Sequence, residues 1–170
     1  MAFADEVTGR GGDRLDEVLA RCYRHLGDRE HSVAELRERL ARAKFDDELI
    51  EQALAAVAEQ GYLDDVRYAR LLVQDRRAID GWGSERIRSR LRAAGIERDL
   101  IDEALAGIDH AAEMEAALAV LARRCPGALE DDRDRQRAFG ILIRLGYESE
   151  LAYDVVREAR RAAADAHATR

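Results

Sequence analysis

Residues 36–45 read LRERLARAKF, residues 87–96 read IRSRLRAAGI and residues 138–147 read AFGILIRLGY. Fifty-one residues separate Leu40 from Leu91 and Leu91 from Leu142. In each stretch a residue of the apolar stripe precedes its leucine by four positions: Leu36, Ile87 and Ala138. Four-residue spacing puts both on one face of a helix. Each stretch then closes on a bend and a large apolar residue: Ala43-Lys44-Phe45, Ala94-Gly95-Ile96 and Leu145-Gly146-Tyr147. Glycine at such a bend permits the left-handed turn that stops a helix. Recurrence at a fixed period of this size marks tandem structural modules. The match runs on downstream. Asp46-Asp47-Glu48-Leu49-Ile50 answers to Glu97-Arg98-Asp99-Leu100-Ile101, and Ala53-Leu54 to Ala104-Leu105, then more loosely to Val155-Val156. The first two copies agree well and the third has drifted.

Each copy reads as three helices. In the first, a helix over about 14–25 gathers Leu15, Val18, Leu19, Cys22 and Leu26 on one face. Ser32 caps the next helix, with Glu35 three residues on in capping-box position, and its stripe is Val33, Leu36 and Leu40. The bend at Lys44-Phe45 leads to a third helix capped by Asp46 or Asp47 and carrying Leu49, Ile50, Ala53, Leu54 and Val57. Gly61 ends it. In the second copy Asp64 or Asp65 caps a helix over about 68–78, and Gly81-Trp82-Gly83 with Ser84 opens the next. The third copy is broken by Pro126-Gly127. The predicted organisation is a flexible N-terminal arm (1–12), modules at 13–64, 65–109 and 110–165, and a flexible tail (166–170). The fold class is all-α: an elongated array of three tandem three-helix modules that share buried faces with their neighbours. Phe45, Ile96 and Tyr147 should plug the bends as core residues.

Composition supports this reading. Of 170 residues, 47% are hydrophobic and 37% charged, with one proline. That is too apolar for a disordered chain and too charged for a membrane protein. No apolar run approaches the roughly 20 residues of a membrane-spanning helix, and Met1 to Asp13 has no apolar core of a secretory signal. A cytoplasmic location is expected. Cys22 and Cys125 form no CxxC pair, so two thiols are expected rather than a bridge.

Enzyme signatures are missing. There is no GxSxG and no HExxH, and Gly9-Arg10-Gly11-Gly12 lacks the Lys-Ser/Thr of a phosphate loop. Cys22, His25 and His31 have loose metal-like spacing, but Cys22 belongs to the apolar stripe and the histidines to a helix end. Asp64-Asp65 could serve acid–base or magnesium chemistry. Their place before a helix favours capping of free N–H groups instead. No redox or covalent cofactor signature is present. We expect no catalytic residue, no metal, no cofactor and no small-molecule substrate.

The net charge of −7 argues against a global nucleic-acid binder. Its distribution is uneven. Between residues 67 and 92 eight arginines face three acids, whereas residues 46–65 hold seven acids and no base. Arg86, Arg88, Arg90 and Arg92 flank the Ile87/Leu91 stripe of one short helix, beside a Trp82 expected to be exposed. Such a surface can grip phosphates or an acidic protein groove. The alternative is a solvated face paired with the acids of the third helices. The candidate binding residues are Arg67, Arg70, Arg76, Arg77, Trp82, Arg86, Arg88, Arg90 and Arg92. Tyr62 and Tyr68 fit core or turn positions better than ligand contacts.

The string Gly61-Tyr62-Leu63-Asp64-Asp65-x-x-Tyr68-Ala69, followed by Arg76, Gly83, Arg86-Ile87, Leu91 and Gly95-Ile96, resembles the RecX family. So does Ser32-x-x-Glu35-Leu36-x-x-x-Leu40 with the Leu49-Ile50 to Leu54 stretch. The resemblance spans about residues 14–160. It implies a non-enzymatic regulator, mainly an inhibitor, of the RecA recombinase. Such a protein lodges in the groove of the RecA filament on single-stranded DNA. There it modulates ATP hydrolysis, strand exchange and co-protease activity, in recombination, DNA repair and the SOS response. A weak direct contact with DNA is compatible with it. Lys44 departs from the glycine of the other two copies, and the third module is eroded. A helix-turn-helix-like DNA-binding transcription regulator is the alternative reading of the same arginine-rich helix.

Overall fold

The computed structural model describes the backbone of residues 3–125 and 131–168, and the side chains of 13–125 and 131–164. Nine α-helices lie among these residues, and no strand. They fall in threes: α1 (Phe3–Asp28), α2 (Val33–Arg42) and α3 (Asp47–Glu59); α4 (Asp65–Asp75), α5 (Ser84–Ala93) and α6 (Arg98–Leu105); α7 (His110–Arg124), α8 (Asp132–Leu145) and α9 (Ser149–Ala168). A π turn, Arg76–Asp80, follows α4. The three-module reading of the sequence therefore holds.

Three boundaries differ from expectation. The backbone is helical from Phe3, through Gly9, Gly11 and Gly12, where a flexible arm was expected over 1–12. Each glycine weakens a helix by about 1 kcal/mol relative to alanine, which does not by itself end one. Helix α9 reaches Ala168, past the expected limit at 165. The helix expected to end near Ala78 instead widens at Arg76 into the π turn, closed by Gly81 at φ 67. The expected break at Pro126-Gly127 lies outside the described residues.

Two compact units divide the chain: Met1–Ala69 with Ala93–Leu100, and Arg70–Arg92 with Ile101–Arg170. The first is built on Val18 and Cys22 of α1, Leu36 and Leu40 of α2, and Ile50, Ala53, Leu54 and Val57 of α3, closed by Leu63. Burial of each large aliphatic side chain contributes about 1.5–3 kcal/mol. Burial also pushes the Cys22 thiol up to about 11, so it behaves as a core group and not a nucleophile. Phe45 is half-buried at the edge of this core. The second unit repeats the plan with Ala117, Val120 and Leu121 of α7, Ala138, Leu142 and Leu145 of α8, and Leu151, Ala152, Val155 and Val156 of α9. Ile87, Leu91, Ile101 and Leu105, the stripes of α5 and α6, are also buried there.

The caps offered at Ser32 and at Asp64 form, and the third module adds two more. Ser32 Oγ accepts from the Glu35 N–H at 3.0 Å. Asp64 accepts from the N–H groups of Val66 and Arg67 at 2.9 and 3.0 Å. Asp109 and Asp131 cap α7 and α8 at 2.8 and 2.7 Å. Asp46 stands at the N-cap of α3 but makes no side-chain cap bond; Arg14 holds its carboxylate at 2.8 Å. Asp65 serves a different helix, accepting the first N–H of α2, from Val33, at 2.9 Å.

The modules meet through a contact that itself repeats. Within the first unit Ser32 Oγ donates to the Ala94 carbonyl at 2.6 Å. Within the second, the Gly83 N–H donates to the Leu145 carbonyl at 2.8 Å. Both donor and acceptor have moved on by one repeat. The glycine after each acceptor is left-handed, with φ 75 at Gly95 and 84 at Gly146. A Cβ on Gly95 would lie 2.4 Å from Ala34 Cβ, and one on Gly146 would lie 2.3 Å from Arg86 Cβ. Glycine is needed there for both backbone and space. Lys44 shares the left-handed backbone, at φ 62, but is exposed. Tyr147, the third plug residue, is buried and donates its hydroxyl to the Gly81 carbonyl at 3.2 Å; burial pushes that hydroxyl up to about 12.

Candidate functional site

The arginine-rich segment is more committed to its own fold than its sequence suggests. In the first unit Arg67 meets Glu30 at 3.1 Å and donates to the carbonyls of Gly61 and Tyr62 at 2.8 and 3.1 Å. It fastens the turn before α4. The other candidates lie in the second unit. Arg77 is largely covered and pairs with Glu113 at 2.5 Å while donating to the Ala112 carbonyl at 3.1 Å. Glu113 also accepts from Ser84 Oγ at 2.7 Å, which joins the start of α5 to α7. Arg70 pairs with Glu103 at 2.7 Å across exposed surface. Arg88 pairs with Asp102 of α6 and lies 3.8 Å from Glu85. For Arg88, at least, the alternative of pairing with acids of a third helix is what the structure contains.

Trp82 is half-buried, not exposed. It packs on the core of the second unit and is flanked by two guanidinium groups, Arg76 at 5.2 Å and Arg86 at 4.2 Å from its ring centre. Arg86 also donates to the Arg144 carbonyl at 2.8 Å, and Arg76 pairs with Asp80 at 2.6 Å. Such cation–ring contacts are worth about 0.5–2 kcal/mol. Arg90 is half-buried and Arg92 exposed. Of the candidate arginines, Arg70, Arg76, Arg86 and Arg92 are the exposed ones.

The motif residues occupy structural places. Tyr68 is buried, its hydroxyl 3.3 Å from Glu35 Oε1. Tyr62 is exposed and meets Tyr23 edge-on, with ring centres 5.6 Å apart. Leu63, Ile87, Leu91 and Ile96 are buried. Of the loose cysteine–histidine set, Cys22 and His31 are buried, and His31 faces His25 edge-on. His31 Nδ1 lies 3.4 Å from Glu35 Oε2 without the alignment of a hydrogen bond. Burial, then Arg29 and Arg39, push its pKa below the usual histidine value against the opposing pull of Glu35. No group of three or more His, Cys, Asp or Glu placed to hold a metal occurs among the described residues. No helix among them is long and apolar enough to cross a membrane.

One feature escaped the sequence reading. On α8 and α9 the rings of Phe139 and Tyr153 pack at 4.5 Å, tilted by 40°, and line a cleft of about 550 Å³ with Arg135, Arg157 and Arg160. The signal for it was present in the 51-residue spacing, since Phe139 and Tyr153 align with Arg88 and Asp102.

Fold and surface together define a tandem three-helix-module protein with its polar groups invested in caps, inter-module contacts and charged surface. Comparison with known proteins gives that class its family. Residues 19–55 match the family model described as RecX, first three-helix domain, and residues 64–105 that of the RecX second three-helix domain. The regulatory protein RecX of Mycolicibacterium vanbaalenii is 36% identical over 163 residues, covering 91% of this chain and 86% of its own. That of Deinococcus radiodurans is 37% identical over 147 residues, covering 86% and 70%. In fold, a crystal structure of a regulatory protein RecX superposes with a TM-score of 0.76 at 22% identity, over 93% of this chain and 78% of that one. RecX from Lactobacillus salivarius gives 0.74 at 16% identity, over 87% and 97%. The chain belongs to the RecX family of regulatory proteins.

Proposed function

We propose that this chain regulates the RecA recombinase, mainly as an inhibitor, by binding the RecA filament on single-stranded DNA in the cytoplasm. There it modulates ATP hydrolysis, strand exchange and co-protease activity. The observation that carries this reading is 36% identity across 91% of the chain with a protein named for regulation. The three modules, 13–64, 65–109 and 110–165, serve as a scaffold spanning neighbouring RecA subunits. The protein acts by binding and not by catalysis, and it requires no cofactor.

The basic surface of the second unit supplies the contact. Arg70, Arg76, Arg86 and Arg92 meet acidic RecA surface or the phosphates of the enclosed strand, while Arg67, Arg77 and Arg88 hold the scaffold in shape. Arg90 and Trp82 support that surface from its half-buried side. Inhibition requires that the chain bind one filament state more tightly than another, because equal affinity shifts no equilibrium.

Co-sedimentation tests this. With the cognate RecA on circular single-stranded DNA and a non-hydrolysable ATP analogue, at physiological salt, the chain should pellet with the filament and not with naked duplex. Arg70→Glu combined with Arg92→Glu should weaken pelleting several-fold without loss of helicity. Equal pelleting by that variant would remove the basic surface from the account. Pelleting with duplex DNA alone would favour the transcription-regulator reading.

A further inference from the structure

The second and third helices of each module face one another through the same pair of positions, one repeat apart. In the first module Arg37 and Glu51 form a two-point ion pair at 2.6 and 3.0 Å. In the second, Arg88 pairs with Asp102. In the third the positions hold Phe139 and Tyr153, with ring centres 4.5 Å apart. An exposed ion pair contributes little to stability and suits a solvated face. An aromatic pair there leaves Tyr153 68% exposed, which hydrophobic burial alone does not favour.

The exchange creates a site. The pair lines the cleft of about 550 Å³, whose other charged walls are Asp132, Arg135, Arg157 and Arg160. That volume is in the range of small-ligand sites. Cations outnumber acids in its lining, although the chain as a whole carries −7. Arg157 pairs with Asp154 at 2.8 Å on a side chain 81% exposed. Such a surface pair exchanges readily for a phosphate. Aromatic faces beside guanidinium groups are the chemistry by which single strands are held: bases stack, and cations follow the backbone.

We propose that this cleft binds single-stranded nucleic acid, with a base stacked on the Phe139–Tyr153 pair and flanking phosphates on Arg157 and Arg160. The third module has exchanged the ion pair of its sister modules for a stacking platform. This does not rest on the filament reading, since the strand alone is the ligand.

The test is fluorescence anisotropy of a labelled oligodeoxythymidylate titrated with the full chain at low ionic strength. The wild-type chain should bind, and added salt should weaken binding. Phe139→Arg combined with Tyr153→Glu restores the ion pair of the other modules and should preserve helicity by circular dichroism. It should reduce affinity tenfold or more, the scale of one lost stacking contact. Tyr153→Ala should fall between the two. No binding by the wild-type chain, or unchanged affinity of the double variant, overturns the proposal. Displacement of the oligonucleotide by polyglutamate as effectively as by unlabelled strand would mean that charge alone is read, and would overturn it too. Equal displacement by thymidine monophosphate would reassign the cleft to free nucleotides.

Discussion

Lys44 holds a left-handed backbone at φ 62 in the slot that glycine fills at 95 and 146. An L-residue there costs about 1–2 kcal/mol, and glycine gives back part of that gain, about 0.5–1 kcal/mol, in unfolded-state entropy. Lys44→Gly should therefore stabilise the fold by up to about 1 kcal/mol in urea denaturation. Gly146→Ala should do the opposite, by about 2–4 kcal/mol, because left-handed strain adds to overpacking against Arg86. Gly61, also left-handed at φ 77, has nothing within 4 Å of its missing Cβ. Gly61→Ala should thus lose only the conformational part, about 1–2 kcal/mol. Equal losses at 61 and 146 would contradict the close approach at the inter-module contact. His31 is the residue to watch with pH. Its folded-state pKa lies below the unfolded value, so the unfolded chain gains the proton first as pH falls below about 6.5. The contribution of neutral His31 to stability is full above that pH and is lost as pH falls toward the folded pKa. Thermal denaturation from pH 7.5 to 5 should show a steeper decline for wild type than for His31→Asn; parallel curves would exclude His31 as the cause.

At the scale of the element, Ser32 does two jobs: it caps α2 and donates to the Ala94 carbonyl of the next module. Ser32→Ala should lose about 2–4 kcal/mol, the sum of a cap and a buried unsatisfied carbonyl. Asp131→Ala, which removes a cap alone, should lose about 1 kcal/mol. A difference below about 0.5 kcal/mol, the limit of non-additivity expected for independent sites, would contradict the second role. Most of the elements were legible because their signals are local. Apolar stripes such as Leu36/Leu40 and Ile87/Leu91, caps such as Ser32 and Asp64, and terminators such as Gly61 act within one or two turns. What was not legible depends on contacts made at a distance. Of the two caps offered for α4, Asp64 serves that helix, whereas Asp65 accepts the first N–H of α2, a role no local pattern signals. Arg67 and Arg77 looked like surface charge until Glu30 and Glu113 met them. Trp82 looked exposed because no sequence period places a core beside it. The Phe139–Tyr153 pair lay hidden in the drifted third copy, where stripe matching alone gave no reason to inspect the solvent-facing positions.

At the scale of the whole molecule, the repeat explains why a chain of small modules needs no single large core. Each module buries its own stripes, and each inter-module contact repeats one hydrogen-bond plan, from Ser32 to Ala94 and from Gly83 to Leu145. Repeat scaffolds of this kind present their charged side chains along packed helical modules. The measurement closest to the central claim is ATP hydrolysis by the cognate RecA on single-stranded DNA, with this chain titrated from well below one copy per RecA. Our account predicts inhibition at those low ratios, weakened when Arg70→Glu and Arg92→Glu are combined. Undiminished hydrolysis at equimolar, demonstrably helical protein would contradict it.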